Sequence, residues 1–255
     1  MSVLCVTDEV YGVTVLHDVL YMVCEWSSII LRFSSATHQR LSDIDVSDMR
    51  SPSDIAACER TSRVYVAERR CVWRVSEDGT DTQRWLPKSP LDTFKPSTLS
   101  VTSTRLLVTS RSTRQLMQFD ADGDELRRLQ LPDDMKPWNA VESPAGTFIV
   151  STFNTPMDHG QVIEINSTCQ VLRQFSSSLG RTPHVAVDCR GNIFVADFDN
   201  CRILLLSTHL TLRRVIIDEH HLNNEHPRRL CYVEHSGQLL VAFYRDVAVY
   251  DVLGR

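Results

Sequence analysis

The densest run of titratable side chains in the sequence is Asp218–His226, which reads DEHHLNNEH. Its three histidines and three acids could gather a divalent cation, because zinc needs several convergent nitrogen, sulfur or oxygen ligands. The competing reading is a solvated connection turning at Asn223-Asn224, and the composition favours it. Eight cysteines stand at positions 5, 24, 58, 71, 169, 189, 201 and 231. None forms a Cys-x-x-Cys pair, so no zinc finger is expected. No Gly-x-Ser-x-Gly elbow, phosphate-binding loop or dinucleotide fingerprint occurs. The remaining chemistry is recognition. Arginine and aromatic side chains, the usual anchors of binding surfaces, recur in short polar breaks at Trp26, Arg69, Arg70, Arg111, Arg114, Phe198, Tyr244 and Arg245.

The elements that must position these groups are legible in Pro183–Ile217. Short runs rich in Val, Ile, Leu and Phe are separated there by Cys189-Arg190-Gly191-Asn192 and Asp197-Phe198-Asp199-Asn200. Runs bounded this way read as strands, since helices need longer segments with helical spacing. The unit is four antiparallel strands in about 35 residues, in the range for one blade of a β-propeller. Such a unit cannot bury both faces alone, and copies are present. The second strand recurs with central valines at Val23, Val66, Val108, Val150, Val195 and Val241, spaced 43, 42, 42, 45 and 46 residues apart. Five units open on a proline: Pro52, Pro96, Pro137, Pro183 and Pro227. Two markers in phase predict an all-β fold, a six-bladed β-propeller of four-stranded antiparallel blades, with residues 1–255 as a single domain.

The last copy shows three strands, near Arg229–Val233, Leu239–Phe243 and Val247–Val252, and lacks a fourth. The chain start offers a spare one, Ser2–Thr7. Because open sheet edges invite pairing with other chains, this strand is expected to close the ring by N-terminal pairing in the last blade. The first blade is expected near Gly12–Leu16, Leu20–Cys24, Ile29–Phe33 and Arg40–Asp45. The fourth blade carries an enlarged loop, Phe153–Gln161. In the third, Asp120-Ala121-Asp122-Gly123 reads as a tight turn.

In a propeller the loops between second and third strands share one face with the loops between blades. That face is the expected binding surface. Besides the residues named above it receives Phe153 and His159 from the enlarged loop. The interblade loops add Trp138, Arg181, His184 and Arg228, with Arg50, Lys88, Phe94, Lys95, Lys136 and Arg229 around them. Acids in the same loops, among them Glu68, Asp92, Asp133, Asp158, Asp199 and Asp246, mix the charge and weaken a case for RNA, which needs a coherent basic field.

The net charge of −5 and pI near 6.0 give no global pull toward nucleic acid or anionic membrane. A charged fraction of 23% beside 42% hydrophobic residues supports a folded core. No apolar run reaches the ~18 residues that a membrane span needs, and the opening MSVLCVTDEV lacks the pattern of a secretory signal. Cysteines placed in apolar strands read as reduced thiols of an intracellular, cytoplasmic protein.

Pro183–Leu206, with Asp188, Gly191, Asn192, Asp197, Asn200 and Arg202 in place, resembles an NHL repeat. Other copies keep parts of that pattern: the turn glycine at Gly146 and Gly237, and the acid after the second strand at Glu25 and Glu68. The resemblance implies a six-bladed propeller like that at the C-terminus of tripartite-motif ligases, binding protein or RNA on the loop face. Some NHL-like propellers resemble a peptide-amidating lyase whose zinc is held by histidines after the opening prolines. Here those positions are Ser53, Ser97, Trp138, His184 and Arg228, and only His184 fits. A lactonase-like calcium site would need inward acids or amides from several blades, and Asn139 alone stands near such a place. No cofactor is expected. The chain is read as a monomeric, non-enzymatic platform for a protein or peptide, a substrate-recognition part of a ligase-like assembly; no RING, B-box or coiled coil accompanies it. RNA recognition is the second reading and a metal-dependent lyase or lactonase the third.

Overall fold

The computed structural model describes residues 2–87, 95–154, 159–176, 179–180, 184–222 and 225–252. The strands are β1 (Ser2–Cys5), β2 (Val10–Leu16), β3 (Val19–Cys24), β4 (Ile29–Ser34), β5 (Ile44–Asp45), β6 (Pro52–Cys58), β7 (Arg63–Glu68), β8 (Cys71–Ser76) and β9 (Thr82–Leu86). The middle of the chain gives β10 (Thr98–Thr102), β11 (Arg105–Ser110), β12 (Gln115–Phe119), β13 (Glu125–Gln130), β14 (Met135–Glu142), β15 (Phe148–Asn154), β16 (His159–Ile165) and β17 (Val171–Phe175). The last third gives β18 (His184–Val187), β19 (Ile193–Asp197), β20 (Arg202–Leu206), β21 (Leu212–Ile217), β22 (Arg229–Val233), β23 (Gln238–Ala242) and β24 (Asp246–Asp251). They form six four-stranded antiparallel sheets, β2–β5, β6–β9, β10–β13, β14–β17, β18–β21 and a last sheet ordered β1-β24-β23-β22. The first strands β2, β6, β10, β14, β18 and β22 touch in succession and β22 returns to β2, so the sheets are the blades of a closed ring. Among the described residues no helix is long and apolar enough to cross a membrane.

Each blade packs both faces against its neighbours, which gives six apolar layers. Between blades 1 and 2, for example, Tyr21, Val23, Ile30 and Met49 meet Ile55, Val66, Trp73 and Val75. Second strands are therefore buried on both faces, as in β19, where all five residues are buried. A strand sandwiched like this reads as a continuous apolar run. Outer strands face solvent instead: four of the five residues of β17 are exposed.

The ring closes as the sequence predicts. β1 pairs antiparallel with β24 in the register Ser2↔Val249 to Cys5↔Asp246, and Leu4 enters the layer of Val13, Met22, Val247 and Val249. Gly12 allows blades 1 and 2 to approach closely, since a Cβ there would lie 2.7 Å from the backbone nitrogen of Ile55.

Two strand expectations are corrected. Arg40–Asp45 is not one strand: only β5 and an isolated bridge between Phe33 and Arg40 pair with β4. Phe153–Gln161 is not simply an enlarged loop either. The β15–β16 ladder runs on through Phe153↔Gly160 to Asn154↔His159, leaving residues 155–158 outside the described residues. The turn at Asp120 forms as expected, its carboxylate accepting the Asp122 and Asp124 N–H groups at 3.0 and 2.8 Å.

Candidate functional site

The loop face assembles its arginines and aromatics mainly where blades 5 and 6 meet the seam. Phe198, from the turn after β19, stacks on His226 with centroids 4.6 Å apart and planes 23° apart. The His226 Nδ1–H donates to the Phe198 carbonyl at 2.8 Å, which fixes the pair. The Arg228 guanidinium then lies 5.9 Å from the Phe198 ring and 5.0 Å from the Tyr244 ring, and Arg245 lies 5.4 Å from Tyr244. The result is a file of planar groups: His226, Phe198, Arg228, Tyr244, Arg245. Arg228 is anchored by an ion pair with Glu9, and burial holds its pKa below the ordinary guanidinium value. Tyr244 is half exposed and Trp26 is 76% exposed, surfaces that a partner could cover.

Across the face, Arg111 stacks on Trp138 at 3.9 Å, and burial lowers its pKa as well. Arg114 is spent on Asp133 at 2.6 Å. Arg69 and Arg70 are exposed in the turn after β7, Arg50 and Lys95 are exposed in interblade loops, and Phe153 and His159 are half-buried strand residues. Lys136 and Trp138 belong to β14, so they are strand rather than loop residues. Arg181, Lys88, Phe94, Asp92 and Asp158 lie outside the described residues. The segment after Asp218 divides. Asp218 accepts the backbone N–H of His221 at 3.1 Å and meets its ring at 2.6 Å, which lowers the Asp218 pKa, while His226 joins the aromatic file. Among the described residues no three His, Cys, Asp or Glu groups come together as metal ligands. None of the eight cysteines is in a disulfide.

Glu68, which the sequence places on this face, and two further acids of blade 5 hold the fold together. Glu68 accepts the Arg50 N–H at 2.8 Å and the Trp73 indole N–H at 2.8 Å, tying the preceding interblade loop to blade 2. Asp197, fully buried, does the same in blade 5. It accepts Gly180 N–H at 2.7 Å, the Asn200 amide at 2.9 Å and Arg202 Nε–H at 2.7 Å. Asp188 accepts Arg190 and Asn192 N–H groups over Gly191, whose φ of 79° suits glycine. The repeat-like residues of Pro183–Leu206 are thus accounted for by structure.

His184 is not on the loop face. It begins β18, is buried, and lines a central cavity of about 610 Å³. The cavity is walled by the first strands and by the hairpin turns of the opposite face, with Glu59, Arg60, Ser103, Pro144, Cys189 and Glu234 around it. The sequence reading missed this mouth, because its residues come one or two at a time from turns of five blades. Near the loop-face end, Asp54 accepts Leu99 N–H at 2.8 Å, Asn139 accepts Val185 N–H at 3.0 Å and His184 Nδ1 accepts Leu230 N–H at 3.3 Å. Three blades thereby clasp their successors with one side chain each. Arg229 reaches past blade 1 to blade 2, its Nε 3.8 Å from Asp54. Burial pushes the Asp54 pKa up to about 6 against the opposing pull of Arg229 and the Leu99 N–H, and burial followed by the Arg229 charge holds His184 well below its ordinary value.

No family model matches the chain, and no curated protein sequence matches it. Solved structures do resemble it. A catalytically inactive virginiamycin B lyase from Staphylococcus aureus with quinupristin superposes at TM-score 0.67 and 12% identity, over 94% of this chain and 79% of that one. A streptogramin B lyase gives 0.67 and 10%, over 95% and 94%. A chain of a nidogen/laminin complex gives 0.65 and 13%, over 94% and 84%. At these identities the likeness is one of fold. Two of the three are lyases, which corrects the expectation that this chain is no enzyme: propellers of this shape carry catalysis, and the fold supplies no ground for that exclusion.

Proposed function

We propose that the loop face is a binding platform for a protein or peptide, gripped by the file His226–Phe198–Arg228–Tyr244–Arg245 together with the exposed Trp26. The observation that carries this reading is the alternation of guanidinium and aromatic planes at 5.0–5.9 Å along blades 5 and 6. Rigid aromatics and oriented arginines lose little side-chain freedom on binding, which is why they anchor interfaces. Arg69, Arg70 and Arg245 have no ion-pair partner among the described residues, so acidic or apolar side chains on the partner suit the face best. The resemblance of Pro183–Leu206 to NHL repeats takes the proposal further: the partner is a substrate presented to a larger ligase-type assembly in the cytoplasm.

The test is affinity capture with the wild-type chain and a Tyr244→Ala, Arg245→Glu variant, each with and without ribonuclease. Both altered side chains are exposed, so melting temperature should not change. Loss of captured proteins in the variant, insensitive to ribonuclease, supports the reading. An unchanged set of proteins, or capture that ribonuclease abolishes, rejects it.

A further inference from the structure

Asn139 and His184, at the loop-face end of the cavity, are oriented by the same device. Each spends its acceptor on a backbone N–H of the next blade, Asn139 Oδ1 on Val185 and His184 Nδ1 on Leu230. What His184 has left is a donor, and Asn139 keeps its amide N–H groups beside the second lone pair of Oδ1. With Nδ1 accepting, the proton of the neutral imidazole sits on Nε2, and that buried N–H has no partner. The Ser100 hydroxyl, from the neighbouring blade 3, is also buried and unpartnered. All three residues line the cavity. A buried donor without an acceptor costs about 1–3 kcal/mol, so the His184 Nε2–H is matched to something that accepts, while the Ser100 hydroxyl can either donate or accept. Between these groups and the charged mouth at Glu59, Arg60 and Glu234, the wall includes Val15, Ala57, Val101, Val141 and Val187, all partly open to the channel. A volume of about 610 Å³ falls among sites for small molecules.

We propose that the central channel is a second binding site, entered from the hairpin face, for a small molecule with an apolar body and a carboxylate or amide-carbonyl head that accepts hydrogen bonds from His184 and Asn139. This site is separate from the loop face and does not depend on what binds there.

Hexanoate and hexanamide are suitable probes, with hexylamine as the control that offers no acceptor of this kind. Each is titrated into protein carrying ¹⁵N-labelled histidine while the Nε2–H resonance of His184 is followed. Saturable movement of that resonance by hexanoate or hexanamide, and not by hexylamine, is the expected result. The variant His184→Asp keeps the clasp on Leu230, as Asp54 does on Leu99, but removes the donor. It should weaken the responding probe by about tenfold or more, the loss of one hydrogen bond to a polar head, as read by calorimetry. The wild-type titration decides the matter should that variant fold poorly. No saturable movement with either acceptor probe, equal movement with hexylamine, unaltered affinity in a folded His184→Asp protein, or a bound water on Nε2 that neither probe displaces would each overturn the proposal.

Discussion

Asp54 is where the inner ring should respond to pH. Its carboxyl is buried, accepts the Leu99 N–H, and has the Arg229 Nε at 3.8 Å. Burial outweighs both and lifts its pKa from 3.8 to about 6. The folded chain therefore holds this proton more tightly than the unfolded chain. The stability that results is fully present below pH 3.8, and it is lost as pH rises through about 6. A shift of this size corresponds to about 3 kcal/mol. Asp54→Asn isolates the effect, because Asn139 shows that an amide oxygen can hold the next blade's N–H in this position, and an amide does not ionise. The assay is the urea midpoint of both proteins between pH 4 and pH 7. Other acids with displaced pKa values, such as Asp78, lowered to about 2 by Ser76 and Thr80, are common to both chains and cancel. The variant should gain on the wild type as pH rises, and with a urea dependence of about 3 kcal/mol/M the two midpoints should separate by about 1 M. A separation constant across that range would mean that Asp54 does not titrate there. A gain in the opposite direction would mean that Arg229 keeps the carboxylate ionised below its ordinary range.

Asp197→Ala removes the carboxylate that the Gly180 N–H, the Asn200 amide and Arg202 share. Arg202 is partly exposed, so the cost sits at the low end for a broken buried pair, about 3 kcal/mol, and scanning calorimetry should show a melting temperature lower by about 6–12 °C. Deleting residues 1–5 removes the β1–β24 ladder and Leu4 from its layer. The truncated chain should melt earlier and self-associate through the bared β24 edge, as light scattering would report; a monomer with the parent melting temperature would show that β1 is idle.

Legibility in the sequence followed burial. The row Val23, Val66, Val108, Val150, Val195 and Val241 was visible because second strands lie between two blades and can hold little that is polar. The outer strand of blade 1 reads too long, over Arg40–Asp45, because an outer strand has one strand neighbour and open solvent, so its composition records little. Phe153–Gln161 read as a loop because backbone ladders such as Asn154↔His159 leave no mark on a run of Thr, Asn, Pro and Asp. The site was harder for a different reason. Phe198, His226, Arg228 and Tyr244 were each visible as types, but their stacking depends on loops from two blades meeting. Glu68 reads as surface charge in the sequence, although the Arg50 N–H and the Trp73 indole claim it. His184 was visible as the histidine after an opening proline; that its free nitrogen is a donor follows from the Leu230 N–H, which no local pattern contains.

The file of planar groups and the seam of the ring share their parts. Arg228 pairs with Glu9, the Tyr244 carbonyl accepts the Val10 N–H at 2.9 Å, and the Arg245 carbonyl accepts the Val6 N–H at 2.9 Å. Each of these contacts joins blade 6 to the chain start, beside the β1–β24 ladder on the outside and the reach of Arg229 to Asp54 and the Ser53 carbonyl on the inside. A ring opened at the seam would scatter Arg228, Tyr244 and Arg245 from their partners. A ligand that grips them binds the closed ring and not the open one, so by linkage it stabilises closure by RT ln(1 + [L]/Kd). On the proposed function, recognition on the loop face and integrity of the propeller are one coupled equilibrium. The blades remote from the seam, where Arg111 lies over Trp138, stand outside it.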